Sequence, residues 1–298
     1  MHLLFSVLFE RFLLDFLFVS FSYGHFKIVP TLHLFRSNLL ILFVGLPFVS
    51  AETQVAFQLG QSLLAIAAQK ELPPEPLDTS GLDTGLQKIL HAYYEKSLGG
   101  KVNWGNTDTL LIKGSIRLNS GETLQFKNYR KKPDLNKTIL YLPEDHEIIQ
   151  AYNGTTAWEW FTFESPDPKE LSTEQSIDFI RDACFGSHLL YPRLPGKVMA
   201  YLATELIDGK SVHKLRVSLP NGQVVLFGIN AQGYQIFEET ESTVDGSLRR
   251  TLQSDFKIIS GVAIPFTSQT FVDGELIQEV SIESAEFNTG VYTWMFSM

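Results

Sequence analysis

Four clusters in the sequence combine side chains that could do chemistry. Glu144, Asp145, His146 and Glu147 offer carboxylate and imidazole ligands for a metal, but they fall in a turn with no second histidine nearby, so a solvated loop is expected. Gly209-Lys210-Ser211 has the end of a phosphate-binding loop. The first glycine of that loop is replaced by Thr204, and a strand follows in place of a helix, so the signal fails. Cys184 is the only cysteine; it excludes an internal disulfide and reads as a small apolar residue on a helical stripe. No Gly-x-Ser-x-Gly elbow, triad, paired-carboxylate or zinc-ligand spacing is present. These absences point to binding and not to an enzyme, and they call for no cofactor.

The fourth cluster is aromatic. Trp158 and Trp160 stand two residues apart, so they share one face of a strand. That face could be ordinary core, the wall of a cavity for an apolar ligand, or a patch for a partner. Phe126 is expected on the same hollow side, with Phe161 and Phe163 on the other face.

The elements that must position these residues follow from composition and periodicity. Of 298 residues, 44% are hydrophobic and 19% charged, enough apolar material to bury a core. Residues 1–51 carry an apolar run after Arg36 that ends in Val49-Ser50-Ala51, the pattern of an export signal cut after Ala51. Residues 1–35 read as an upstream extension, with a membrane anchor as the alternative. Without residues 1–51 the formal charge moves from −9 to −10, which argues against nucleic acid as a partner. No cysteine follows the signal to carry a lipid. The expected location is the periplasm.

Residues 52–81 read as a helical segment and a Pro-rich linker, ahead of a domain over residues 82–298. Thr84 with Gln87 predicts a capping box for a helix whose stripe is Leu86, Ile89, Leu90 and Tyr93. Ser172 with Gln175 predicts a second box, ahead of a stripe of Ile177, Ile180 and Cys184. Between and after them run alternating segments such as "TLLIKGSIRL", separated by Asn221-Gly222, Gln232-Gly233 and similar hairpin pairs. A twisted antiparallel sheet of about 11 strands must curl or close. The expected fold is mainly β with α: an incomplete, half-open antiparallel barrel covered by a helical lid, with a closed ligand-holding barrel as the alternative.

The strings "LQKILHAYYEKSLGG", "NYRKKPDLNKTILY", "IIQAYNGTTAW", "LIDGKSVHKLRVSLPNGQVVLFGINAQGYQIF" and "SDFKIISGVAIPF" come in the order seen in bacterial outer-membrane lipoprotein-sorting proteins. Over residues 82–287 the chain resembles that LolA-like family. The resemblance implies a half-barrel with a helical lid, exported to the periplasm, that holds acyl chains in an apolar cavity. It also implies an arginine that tunes release, for which Arg117 and Arg130 are the possible positions.

The function expected is a carrier or chaperone for the acyl chains of lipoproteins or other lipids, acting as a monomer between a membrane-bound donor or acceptor protein and its cargo. The alternative is an envelope sensor or partner-binding module on the same fold. Ile112, Phe126, Trp158, Trp160, Ile180, Leu190 and Met199 are the candidate cavity lining. The segment holding Ile177, Ile180, Leu189, Leu190 and Tyr191 is either a lid that opens at Gly186 and the prolines, or a fixed cover.

Overall fold

The computed structural model describes residues 74–207 and 209–298. The export signal, the anchor alternative, the helical segment and the first residues of the linker lie outside the described residues, as does Asp208.

Helix α1 (Thr84–Ser97) starts one residue earlier than the capping box predicts, because Asp83 is the better cap. Its carboxylate accepts from Gly85 N and Leu86 N at 2.8 and 3.2 Å and places negative charge at the positive helix end. Gln87 donates instead to the carbonyl of Leu82. Gly99, left-handed at φ 71°, turns the chain into a short helix α2 (Gly100–Gly105). The second predicted box is present: Ser172 Oγ accepts from Gln175 N and Gln175 Oε1 accepts from Ser172 N, which starts helix α3 (Thr173–Asp182).

The sheet has 13 strands, all pairs antiparallel. One meander runs β1 (Thr109–Leu118), β2 (Thr123–Lys131), β3 (Leu135–Tyr141), β4 (Glu147–Tyr152), β5 (Ala157–Phe161) and a two-residue β6 (Lys169–Glu170). The other runs β7 (Val198–Ile207), β8 (Lys210–Ser218), β9 (Val224–Asn230), β10 (Gln235–Glu241), β11 (Leu248–Ile259), β12 (Val262–Val272) and β13 (Glu275–Phe287). They join where β1 pairs with β13, leaving β6 and β7 as the two edges of the sheet among the described residues. The half-open barrel is therefore an unclosed sheet. Its strand count exceeds the expectation chiefly because β6 is too short to leave a periodic signal.

This order explains the helix inserted midway. The chain leaves the sheet at one edge and must re-enter at the other, so residues 171–197 have to cross a face. The crossover packs Phe185, Leu189 and Leu190 with Leu86, Leu90 and Tyr93 of α1 onto Leu215, Phe227, Ile264 and Ala285 of the strands. That face is the inner one. Most of the apolar stabilisation is there, at about 2 kcal/mol for each large side chain fully removed from water.

Among the described residues, the outer face is covered by the C-terminal tail. Val291 and Phe296 of the C-terminal tail pack over Leu135, Leu111 and Tyr129. Trp158 lies beside them with its indole N–H donating to the carbonyl of Phe296 at 2.9 Å.

Candidate functional site

A cavity of about 270 Å³ lies between the inner face and the cover. Its apolar end is made by Leu110 and Ile112 of β1, Val262 and Ile264 of β12, and Ile282 and Phe287 of β13, closed by Leu98 and Trp104. On β1 and β12 these residues alternate with outward-facing ones, so the pleat aims them inward, and on β13 a bulge opposite Lys113 and Gly114 brings Ile282 to the same face as Phe287. At the other end the lining turns polar, with Arg130, Arg181, Asp182, His188, Gln235 and Glu238.

Arg130 is the residue that ties sheet to cover. From β2 its Nη2 donates to the carbonyls of Asp182 and Cys184, each at 2.8 Å, while its Nε is buried without a partner among the described residues. Burial pulls its pKa down, and Cys184, Asp134 and Asp182 act against that. Asp134 accepts from Phe185 N, Tyr94 Oη donates to the carbonyl of Leu189 at 2.6 Å, and Lys197 donates to that of Leu190. The crossover is thus pinned through its backbone. A pin of this kind is directional and can be exchanged for water or for a ligand acceptor.

Helix α3 departs from its predicted apolar stripe. Ile180 is 36% exposed, and the residue it buries is Arg181, at 4%. The Arg181 guanidinium bonds Asp178 Oδ1 and Asp182 Oδ1 at 2.8 and 2.9 Å, and Arg249 pairs with Asp182 from β11. Burial pushes the Asp182 carboxyl up, but Arg249 and Arg181 outweigh it and hold it below the usual range. Asp178 also accepts from Gln223 and from Thr243 N. The helix is fastened to hairpin turns by charge and hydrogen bonds.

The buried acid and base beside the cavity each hold a hydrogen bond of their own. Burial pushes the Glu238 carboxyl up, and it accepts from Gln235. Burial and neighbouring Lys197 hold His188 neutral, with a pKa of about 4, and its Nε2–H donates to the carbonyl of Arg181. The Cys184 thiol is pushed up to about 12 by burial and so stays protonated. No nucleophile is hydrogen-bonded to a base here among the described residues.

Of the seven expected lining residues, the structure brings Ile112 to the cavity. Leu190 and Met199 are buried in the inner core. Phe126 stands further along the inner face in a cross-strand row with Leu140, Ile148 and Phe161. Trp158 and Trp160 are on the opposite face, with Ile139 and Ile149, which corrects the expectation that they share the hollow side with Phe126. The physical reason is the tail: once it covers the outer face, that face can be apolar too, and alternation no longer identifies the inside. Arg117 pairs with Glu279 in an exposed position, so of the two arginines it is Arg130 that borders the cavity. The polar lining from α3 and β10 escaped sequence reading, although Arg181 within an apolar stripe was a usable signal.

No family model and no curated protein matches the sequence. Solved structures do. A LolA superfamily protein from Nitrosomonas europaea superposes with a TM-score of 0.49 at 14% identity, over 72% of this chain and 97% of that one. The half-barrel is similar to LolA-superfamily chains. A domain of an outer membrane lipoprotein-sorting protein from Vibrio parahaemolyticus gives 0.47 at 15%, over 70% and 95%. A DUF1329 family protein from Desulfovibrio piger gives 0.50 at 12%, over 75% and 98%. At such identities the likeness concerns fold alone.

Proposed function

We propose that the protein is a periplasmic carrier or chaperone that shields acyl chains of lipoproteins or other amphiphiles between the inner face and the crossover. The observation that carries this reading is the cavity itself: a pocket with an apolar end, whose roof is fixed by exchangeable polar pins centred on Arg130. Each methylene moved from water into it contributes about 0.8 kcal/mol. A chain only partly buried would therefore be held firmly enough to cross water, yet released when a membrane-bound acceptor offers a larger apolar surface. Native mass spectrometry of protein purified without detergent, before and after organic extraction, tests it. An extractable acyl-chain adduct is expected; a clean apo mass that takes up no added fatty acid or lipopeptide overturns it.

A second reading, a partner-binding module, draws on the open edge. Strand β7 exposes Val198 at 62% and Leu206 at 77%, with Tyr201 and Leu202 between them, beside backbone that has no strand partner on that side among the described residues. That reading gains if the protein stays free of lipid yet captures an extended peptide along β7.

A further inference from the structure

The inner face does not stay apolar beyond the cavity. Along the same strands it becomes an open trough of about 300 Å³, and Asp182, Glu238 and Gln253 border both spaces, so the two are adjacent. The trough floor is set by register. Thr251 pairs with Thr270 and Thr270 with Gln278, while Gln253 pairs with Ser268 and Ser268 with Val280, so hydroxyl and amide side chains lie abreast across β11, β12 and β13. Three neighbouring strands span roughly 10 Å, the width of a small head group.

The bonding within the trough leaves capacity for a ligand. Thr251 and Thr270 share a hydroxyl contact at 3.3 Å, and Gln278 Nε2 donates to Thr270 Oγ1 at 3.2 Å. Gln253 and Ser268 have no side-chain partner among the described residues. At the rim Arg249 pairs with Asp182, while Glu238, its carboxyl pushed up by burial, accepts from Gln235, so among the described residues the trough lining holds no unpaired cation for an anionic head. Side chains that both donate and accept, in a trough lined by acids and without an unpaired cation, complement a neutral polyol.

We propose that this trough is a head-group site, and that the natural ligand is a single-chain amphiphile whose tail fills the cavity and whose neutral, hydroxyl-rich head is read by Thr251, Gln253, Ser268, Thr270 and Gln278. The inference rests on the carrier reading and narrows it. It separates this protein from a container that recognises chains alone.

Three ligands with one tail test it: decyl maltoside, decanol and decanoate, each titrated below its micelle concentration and followed by native mass spectrometry. Decyl maltoside binds about tenfold tighter than decanol, the effect of one or two net hydrogen bonds. Thr270→Val combined with Gln278→Leu removes that difference and leaves decanol binding unchanged. Gln253→Leu, at a part-exposed position, does the same in part without touching buried Thr270. Equal binding of maltoside and decanol, a preference for decanoate, or a loss shared by all three ligands in the variants overturns the head-group site. Failure of every ligand to bind overturns the carrier reading beneath it.

Discussion

Two segments cover the inner face, and different forces hold them there. Helix α1 is seated by Leu86, Leu90 and Tyr93, all nearly free of solvent, with few polar bonds to the sheet. The crossover is seated by Phe185, Leu189 and Leu190, but its backbone is also fixed by Arg130, Asp134 and Lys197, and its helix by Asp178 and Arg181. Apolar packing is non-directional and its loss is felt by the whole core, whereas polar pins act locally and can be traded for water. The comparison predicts that α1 is released only with the whole core, and that the crossover opens locally first.

The largest effect should come from breaking the permanent side. Leu90→Ala removes a fully buried side chain from α1 and is expected to cost about 2–5 kcal/mol in global stability, read by urea unfolding monitored with more than one probe. A loss confined to local exchange would put α1 among the mobile parts. Arg130→Met should cost about 2 kcal/mol, because it leaves the carbonyls of Asp182 and Cys184 without their donor. That loss should show as faster hydrogen exchange over residues 183–190, with the exchange of α1 unchanged; equal acceleration in both would dissolve the distinction.

Acid should loosen the crossover before the rest. His188 is neutral in the fold, with its pKa lowered to about 4 from 6.5, so between these values the unfolded chain binds the extra proton. Its contribution is complete above pH 6.5 and declines as the pH falls toward 4. Lys197, lowered to about 8 by burial, acts in a separate window between pH 8 and 10.5, where stability rises with pH. Glu238, raised by burial, works against His188 in acid, so the informative quantity is the difference between wild type and His188→Gln. The variant should show a flatter stability profile from pH 6.5 to 4; an unchanged profile would remove His188 as the cause.

The smallest effect is expected outside the covered face. Trp158→Phe keeps an aromatic ring but removes the indole bond to Phe296 and some buried volume, for about 1–2 kcal/mol. Binding of an acyl chain should not change, and a lost chain would return Trp158 to the ligand site.

Much of the sheet was legible in the sequence because strand alternation and X-Gly turns are local signals. Asn221-Gly222 and Gln232-Gly233 sit at hairpins with glycine at φ 88° and 87°, and Ser172 caps its helix as the spacing predicts. What was not legible depends on partners distant in sequence. Trp158 and Trp160 do share a face, but which face is inner depends on a tail more than a hundred residues later. Its residues Val291 and Phe296 are buried without any periodic pattern to announce them. Ile177 and Ile180 read as a buried stripe, yet the buried member of α3 is Arg181, because two aspartates and Arg249 gather around it. Arg130 could be named as a position, but its carbonyl partners arise only from the crossover's path.

The pairing of β1 with β13 also has a consequence for how the molecule is made. Leu110 lies opposite Phe287, so the strand that begins the sheet waits for the strand that ends it. At ordinary elongation rates of 5–20 residues per second that wait is roughly 10–30 s, during which the first meander presents an unpaired edge and an uncovered apolar face. Contacts this distant slow folding as well, since the intervening loop must be closed before the contact is formed. The newborn chain is therefore most open to aggregation while its final strand is still missing, and a truncation that removes β13 would hold it in that state.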